Sequence, residues 1–274
     1  MRRAALALAV LIATAPAFAG DAEDARARDA VRVLNESLAI PESAIPDKLF
    51  DEARGIIIVP DTVKAGLIFG GRRGLGLMSV KTADGSWSNP VFVKLVGGSV
   101  GLQAGVQSSD VIMVVRNDRG VQDIVNGKFT LGADAAVAAG PVGRNAAAAT
   151  DGQFKAEIWS WSRSRGLFAG IALDGGVLRI DDEANVANYG AGATPRMIFE
   201  NRAPQSGSEA VTGLRTALEQ ASSTARARRA EPEVKPVNAA VAQPQGSAPA
   251  AVNAPATTSE PKKEEGEVKT TPLP

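Results

Sequence analysis

Two of the most versatile catalytic side chains are missing from this sequence. It contains no histidine and no cysteine in 274 residues. Without imidazole there is no Ser-His-Asp or Cys-His hydrolase, no histidine-ligated metal and no histidine acid–base relay. Without thiols no disulfide forms. The run Gly97-Gly98-Ser99-Val100-Gly101 fits the G-x-S-x-G pattern of serine hydrolases, but that motif needs a base and a strand-to-helix elbow. Here alternation continues through Ser99, which reads as a strand residue. Residues 70–76 are glycine-rich and basic, yet they fit neither G-x-G-x-x-G nor a P-loop, and a strand pattern follows them. Asp181, Asp182 and Glu183 lack EF-hand spacing and read as an exposed acidic turn. These observations imply no enzyme, no cofactor and no metal.

The better candidates for binding chemistry are arginines beside glycine turns. Arg72 and Arg73 sit in GGRRG, Arg144 follows Gly140-Pro141-Val142-Gly143, and Arg163 and Arg165 flank Ser164 at a corner. A tight turn points backbone N–H groups outward and arginine adds a bidentate fork, together a cradle for phosphate. The alternative at each position is a solvated arginine or a local ion pair. Convergence of several on one surface is the expectation to test.

Residues 1–19 read as a secretory signal peptide. Arg2 and Arg3 form the charged region, residues 4–13 the apolar stretch, and Ala17-Phe18-Ala19 a cleavage site before Gly20. The apolar stretch is too short to span a bilayer. The expected location is therefore exported, most simply periplasmic. Residues 231–274 are rich in Ala, Pro, Ser, Lys and Glu, and read as a disordered tail. Residues 203–230 read as a helix or linker, with Val211, Leu214 and Leu218 at helical spacing and Arg226, Arg228 and Arg229 at the end. Between lies one domain, residues 20–202. Its charges nearly balance, so nothing points to nucleic acid.

Within the domain, residues 21–39 form a helical stripe of Ala27, Val31, Leu34 and Leu38. Pro46 opens a second short helix. From Gly55 the period becomes two. Strands are predicted at residues 55–60, 64–69, 75–81, 91–95, 98–107, 111–115, 129–139, 154–161, 167–173 and 177–180, with short helices near 118–126 and 183–189. In 98–107, Val100, Leu102, Ala104 and Val106 face one way, and a small polar set faces the other. Short, evenly spaced strands after two helices predict an α+β domain. Its sheet is mainly antiparallel and strongly twisted, or a partly closed barrel.

These runs, in order from about Asp29 to Phe199, resemble the SYLF domain. The matching stretches are Ala44-Ile45-Pro46 with Ala53-Arg54-Gly55-Ile56; Val63-Lys64-Ala65-Gly66; Gly85-Ser86-Trp87-Ser88-Asn89-Pro90; residues 98–110; Leu131-Gly132; Gly140 to Arg144; and residues 162–170. Asn185 and Tyr189-Gly190 match the closing segment. The resemblance implies a non-catalytic module that binds membrane phospholipid, helped by an N-terminal amphipathic helix. It also implies roles for Lys64, Arg144 and Arg165. The helix departs from the pattern, because its five acids outnumber Arg26, Arg28 and Arg32, whereas membrane-surface helices have a cationic polar face. Its stripe is open to two readings: insertion in a membrane or cover for the sheet.

The leading expectation is an exported binder of anionic phospholipid at a membrane surface, through Lys64, Arg72, Arg73, Arg144, Arg163 and Arg165. The alternative is a structural or protein-interaction module of the cell envelope, using the small-residue face of residues 98–107 and the tail. Actin and cytoplasmic phosphoinositides are not carried over to an exported protein. An outer-membrane barrel is disfavoured by one tyrosine and a polar tail.

Overall fold

The computed structural model describes residues 20–39, 45–66, 69–100, 105–127, 129–142, 156–164, 166–205 and 207–230. The expected leader and tail lie outside them. Helix α1 (Asp21–Ala39) and the short α2 (Asp47–Asp51) precede strands β1 (Gly55–Gly66), β2 (Phe69–Val80), β3 (Val91–Val100) and β4 (Gly105–Val115). Helix α3 (Asp118–Val125) leads to β5 (Phe129–Thr130), β6 (Val137–Ala139), β7 (Ile158–Ser164), β8 (Leu167–Gly170) and β9 (Gly176–Ile180). Helices α4 (Asp182–Tyr189), α5 (Pro195–Phe199) and α6 (Glu209–Ala230) follow. The strands form one curled sheet in the order β5-β9-β3-β2-β1-β4-β7-β6, with β8 also on β7. The fold is α+β as expected, but the sheet is mixed: β6 runs parallel to β7.

Several predicted strand limits change. Residues 55–60 and 64–69 were two expected strands, yet β1 runs on to Gly66 through a bulge. Its register slips between Ile58 and Val63 against β2, and between Val59 and Thr62 against β4. Asp61 takes up the extra residue at φ +44° and gives its N–H to the Asp110 carboxylate at 3.1 Å. The bulge re-aims the strand without ending it. The GGRRG run is not a turn. It lies inside β2, where Gly74 and Gly76 are packing glycines: a β-carbon at Gly76 would meet the Ile58 carbonyl oxygen and the Val59 backbone. The predicted strand 98–107 is divided between β3 and β4, which β2 and β1 separate in the sheet. Its alternation therefore does not describe one face. Asn117, not Asp118, caps α3 by accepting from Gly120 N–H at 2.8 Å.

Helices pack against the sheet. α1 buries Ala27, Ala30, Val33, Leu34 and Ser37 and packs on α6, β1 and β2. This favours the sheet-covering reading of its stripe. α6 buries Val211, Leu214 and Leu218 in the same core, so the core continues beyond residue 202. The Ser86–Pro90 stretch is a clasp for these layers. Trp87 Nε1 donates to Ser222 on α6 at 2.8 Å, Asn89 Nδ2 to Asn201 at 2.9 Å, and Pro90 O accepts the Tyr189 hydroxyl at 2.7 Å. Asn185 on α4 adds a ladder-like pair to β3: its Oδ1 accepts Phe92 N–H at 2.9 Å and its Nδ2 donates to Phe92 O at 3.2 Å. These motif residues hold layers together. Their polar atoms are buried and matched, as buried polar groups must be.

Candidate functional site

Lys64 and Arg72 are paired across β1 and β2. Directly opposed residues share a face with β-carbons about 5 Å apart. Their row continues as Gln107 on β4, Gly97 on β3 and Gly176 on β9. Like charges directly opposite one another are destabilising. Among the described residues neither cation has an ion pair. Arg72 is half-buried, and burial alone pushes its guanidinium below the ordinary value, with no carboxylate opposing the shift. It remains a cation, since arginine does not lose its proton in proteins.

Arg73, the next residue, points to the opposite face, across from Val63. Both faces are reached toward the end of the sheet where Gly66 of β1 pairs with Gly70 of β2 and Gly105 of β4. Asp61, Val63, Ala65, Gly71, Arg73, Gly98 and residues 105–108 are exposed there. Val63 is 43% and Val106 75% exposed, unusual for large apolar side chains in this protein. Residues 62–73 and 97–109 together contain Lys64, Arg72 and Arg73 and no Asp or Glu, in a chain of zero net charge.

Arg163 does not join them. It sits on β7 opposite Asp110, and its Nε and Nη2 donate to Asp110 Oδ2 at 3.1 and 3.0 Å. Nη2 also pairs with Glu36 of α1, and the guanidinium lies 5.9 Å from the Phe168 ring centre. Arg32 completes the cluster through Glu36 at 3.2 Å and Asp110 at 3.7 Å. Burial lowers the Arg32 pKa, but Asp110 and Glu36 outweigh it and hold the group above its ordinary value. A fork engaged by two carboxylates has little left for phosphate, so Arg163 is assigned to fastening α1 onto the sheet. Arg144 and Arg165 lie outside the described residues.

The acidic turn is corrected too. Asp182 and Glu183 are exposed, but Asp181 is 3% exposed. It caps α4 through Ala184 N–H at 3.3 Å and pairs with Lys94 at 2.9 Å and Arg26 at 3.1 Å. Desolvation raises its pKa, yet the hydrogen bonds from Lys94, Ala184 and Arg26 prevail and hold it below the ordinary carboxylate value. Among the described residues no group of His, Cys, Asp or Glu is placed to hold a metal, and no helix is long and apolar enough to cross a membrane.

Comparison with known proteins finds similarity over part of the chain. Residues 96–221 match the Ysc84 family, described as Las17-binding protein actin regulator. The chain is 34% identical to Protein YSC84 of Saccharomyces cerevisiae over 165 residues, which is 59% of this chain and 35% of that one. It is 33% identical to LAS seventeen-binding protein 3 of the same yeast over 164 residues, 59% of this chain and 36% of that one. It is also 33% identical to SH3 domain-containing YSC84-like protein 1 of Bos taurus over 169 residues, 60% and 49% of the two chains. The chain thus spans about a third to a half of the length of these relatives. The family description names binding and actin regulation, and one relative's name states binding. Lys64, Arg72 and Arg73 precede the segment matched by the family model.

Proposed function

We propose that this chain, whose residues 96–221 match the Ysc84 (SYLF) family, is a non-catalytic binder of anionic phospholipid, docking through the end of the β1–β4 sheet. The observation that carries this reading is the charge imbalance there: among the described residues, Lys64, Arg72 and Arg73 stand against the single exposed carboxylate of Asp61, with Val63 and Val106 exposed on the Arg73 face. Phosphate headgroups relieve the repulsion between Lys64 and Arg72 on one face, and Val63 and Val106 enter the interface beside Arg73 on the other. Reversal of the three charges (Lys64→Glu, Arg72→Glu, Arg73→Glu) is expected to abolish sedimentation with phosphatidylglycerol vesicles. Wild-type binding should fall as salt rises. Sedimentation of the triple variant at the wild-type level would overturn the assignment.

The proposal places the protein outside the cytoplasm, on the strength of the leader pattern in residues 1–19. A mature chain beginning at Gly20 is expected in the periplasmic fraction by intact-mass measurement. A chain retaining Met1 in the cytoplasm would refute it.

One feature favours the envelope-partner reading. Beyond Asp110, residues 105–109 of β4 pair with β1 on one side and with no described strand on the other. Such an edge accepts an added strand. Binding insensitive to headgroup charge and salt would support that reading over the lipid one.

A further inference from the structure

A groove of about 530 Å³ lies between the first turns of α1 and the outer part of β1 and β2, within the roughly 300–1,000 Å³ range of small-molecule sites. Its walls are Ala22 and Ala25 on α1 and Pro60, Val63 and Leu75 on the sheet. Four charged residues also reach it, and their pairing is uneven. Arg26 is held by Asp181 at 3.1 Å. Asp29 and Asp61 both face Arg32, at 3.4 and 3.8 Å. Arg73 alone among these four has no ion pair with a described residue, and it is exposed at the groove's edge.

We propose that this groove holds one single-chain anionic amphiphile, its alkyl chain along the Ala22, Ala25 and Leu75 walls and its carboxylate or phosphate head on Arg73. Charge complementarity selects the occupant. A neutral apolar ligand leaves the guanidinium without a counter-ion, and a cation meets it with like charge. The planar fork of arginine takes either a carboxylate or a phosphate in two parallel hydrogen bonds. The small side chains of Ala22 and Ala25 keep the helix wall open. A larger residue at either position would reach into the space a methylene chain needs. The inference rests on the lipid reading for the source of such a molecule; it shares Val63 and Arg73 with that surface and adds the α1 wall of Ala22 and Ala25. The vesicle surface engages Lys64 and Arg72 on the other face of the sheet.

The test is calorimetric titration of the full-length protein with laurate and with 1-lauroyl-lysophosphatidic acid, each below its micelle concentration. Saturable one-to-one binding of at least one is expected. Laurate alone would identify a free fatty acid as the source, and the lysophospholipid alone a phosphate head. Ala25→Trp, at an exposed helix position, should weaken that binding about tenfold or more by filling the groove, while leaving vesicle sedimentation unchanged. Arg73→Gln should weaken both. Wild-type affinity in Ala25→Trp, or no binding of either amphiphile to the wild type, would overturn the groove assignment even if vesicle binding stands. If wild-type vesicle sedimentation fails while laurate still binds in an Ala25-dependent way, the surface reading falls and the groove survives.

Discussion

Asp110→Ala is expected to destabilise the fold by about 3–5 kcal/mol, the usual consequence of removing one partner from a buried ion pair. Asp110 is 5% exposed. Its carboxylate accepts Arg163 Nε and the Asp61 N–H, and it faces Arg32. Alanine there leaves the Arg163 guanidinium, which is only 20% exposed, with Glu36 as its one remaining carboxylate partner among the described residues, and withdraws the acceptor that fixes Asp61 at positive φ. A residue outside glycine in that region persists only where its surroundings hold it. Urea unfolding at pH 7 measures the loss. The double variant Asp110→Ala, Arg163→Met should recover part of it, because no buried charge is then left unmatched. A loss below about 1 kcal/mol in the single variant would mean that the cluster is solvated and does little to hold α1.

Two glycines on one strand should respond with opposite signs. Gly76→Ala is expected to cost about 3 kcal/mol or more, since the new methyl meets backbone of β1 that cannot rotate away. Gly71→Ala, on the same strand, has nothing within 4 Å of the added carbon. It should be neutral or stabilise by roughly 0.4–1 kcal/mol, through a less mobile unfolded chain. Thermal melts of the two single variants decide the matter. Equal shifts would show that β2 tolerates a side chain throughout, and that its glycines do not set the close approach to β1.

Most helices were easy to read because their information is local, although the five-residue α5 was not anticipated. α1 carries its stripe and its polar face within nineteen residues, and the observed limits match the predicted ones. Its buried set is nevertheless rotated, with Ala30 and Val33 inside where Val31 was expected. Alanine on both sides of the stripe leaves the apolar edge poorly marked. The strands were harder. Pro60 and Asp61 look like an end, but a bulge carries β1 through them. Glycines in GGRRG look like a turn, although the same absence of a β-carbon serves close strand packing. The alternation in residues 98–107 gave no sign of a break between β3 and β4. The site was only half legible. Its residue types were visible, but the pairing of Lys64 with Arg72 depends on register, and that of Arg163 with Asp110 on contacts 53 residues apart. The cation-rich end becomes apparent only when residues 62–73 and 97–109 are known to be neighbours.

The packing of α1 against α6 has a consequence for biogenesis. The first helix of the domain finds its cover in a helix that ends at Ala230, and Trp87 waits for Ser222 to satisfy its indole. A nascent chain leaving the ribosome cannot finish its core until nearly all of these residues have emerged. Closure that depends on such distant partners is slow, so the layers lock together only after the C-terminal helix has taken its place.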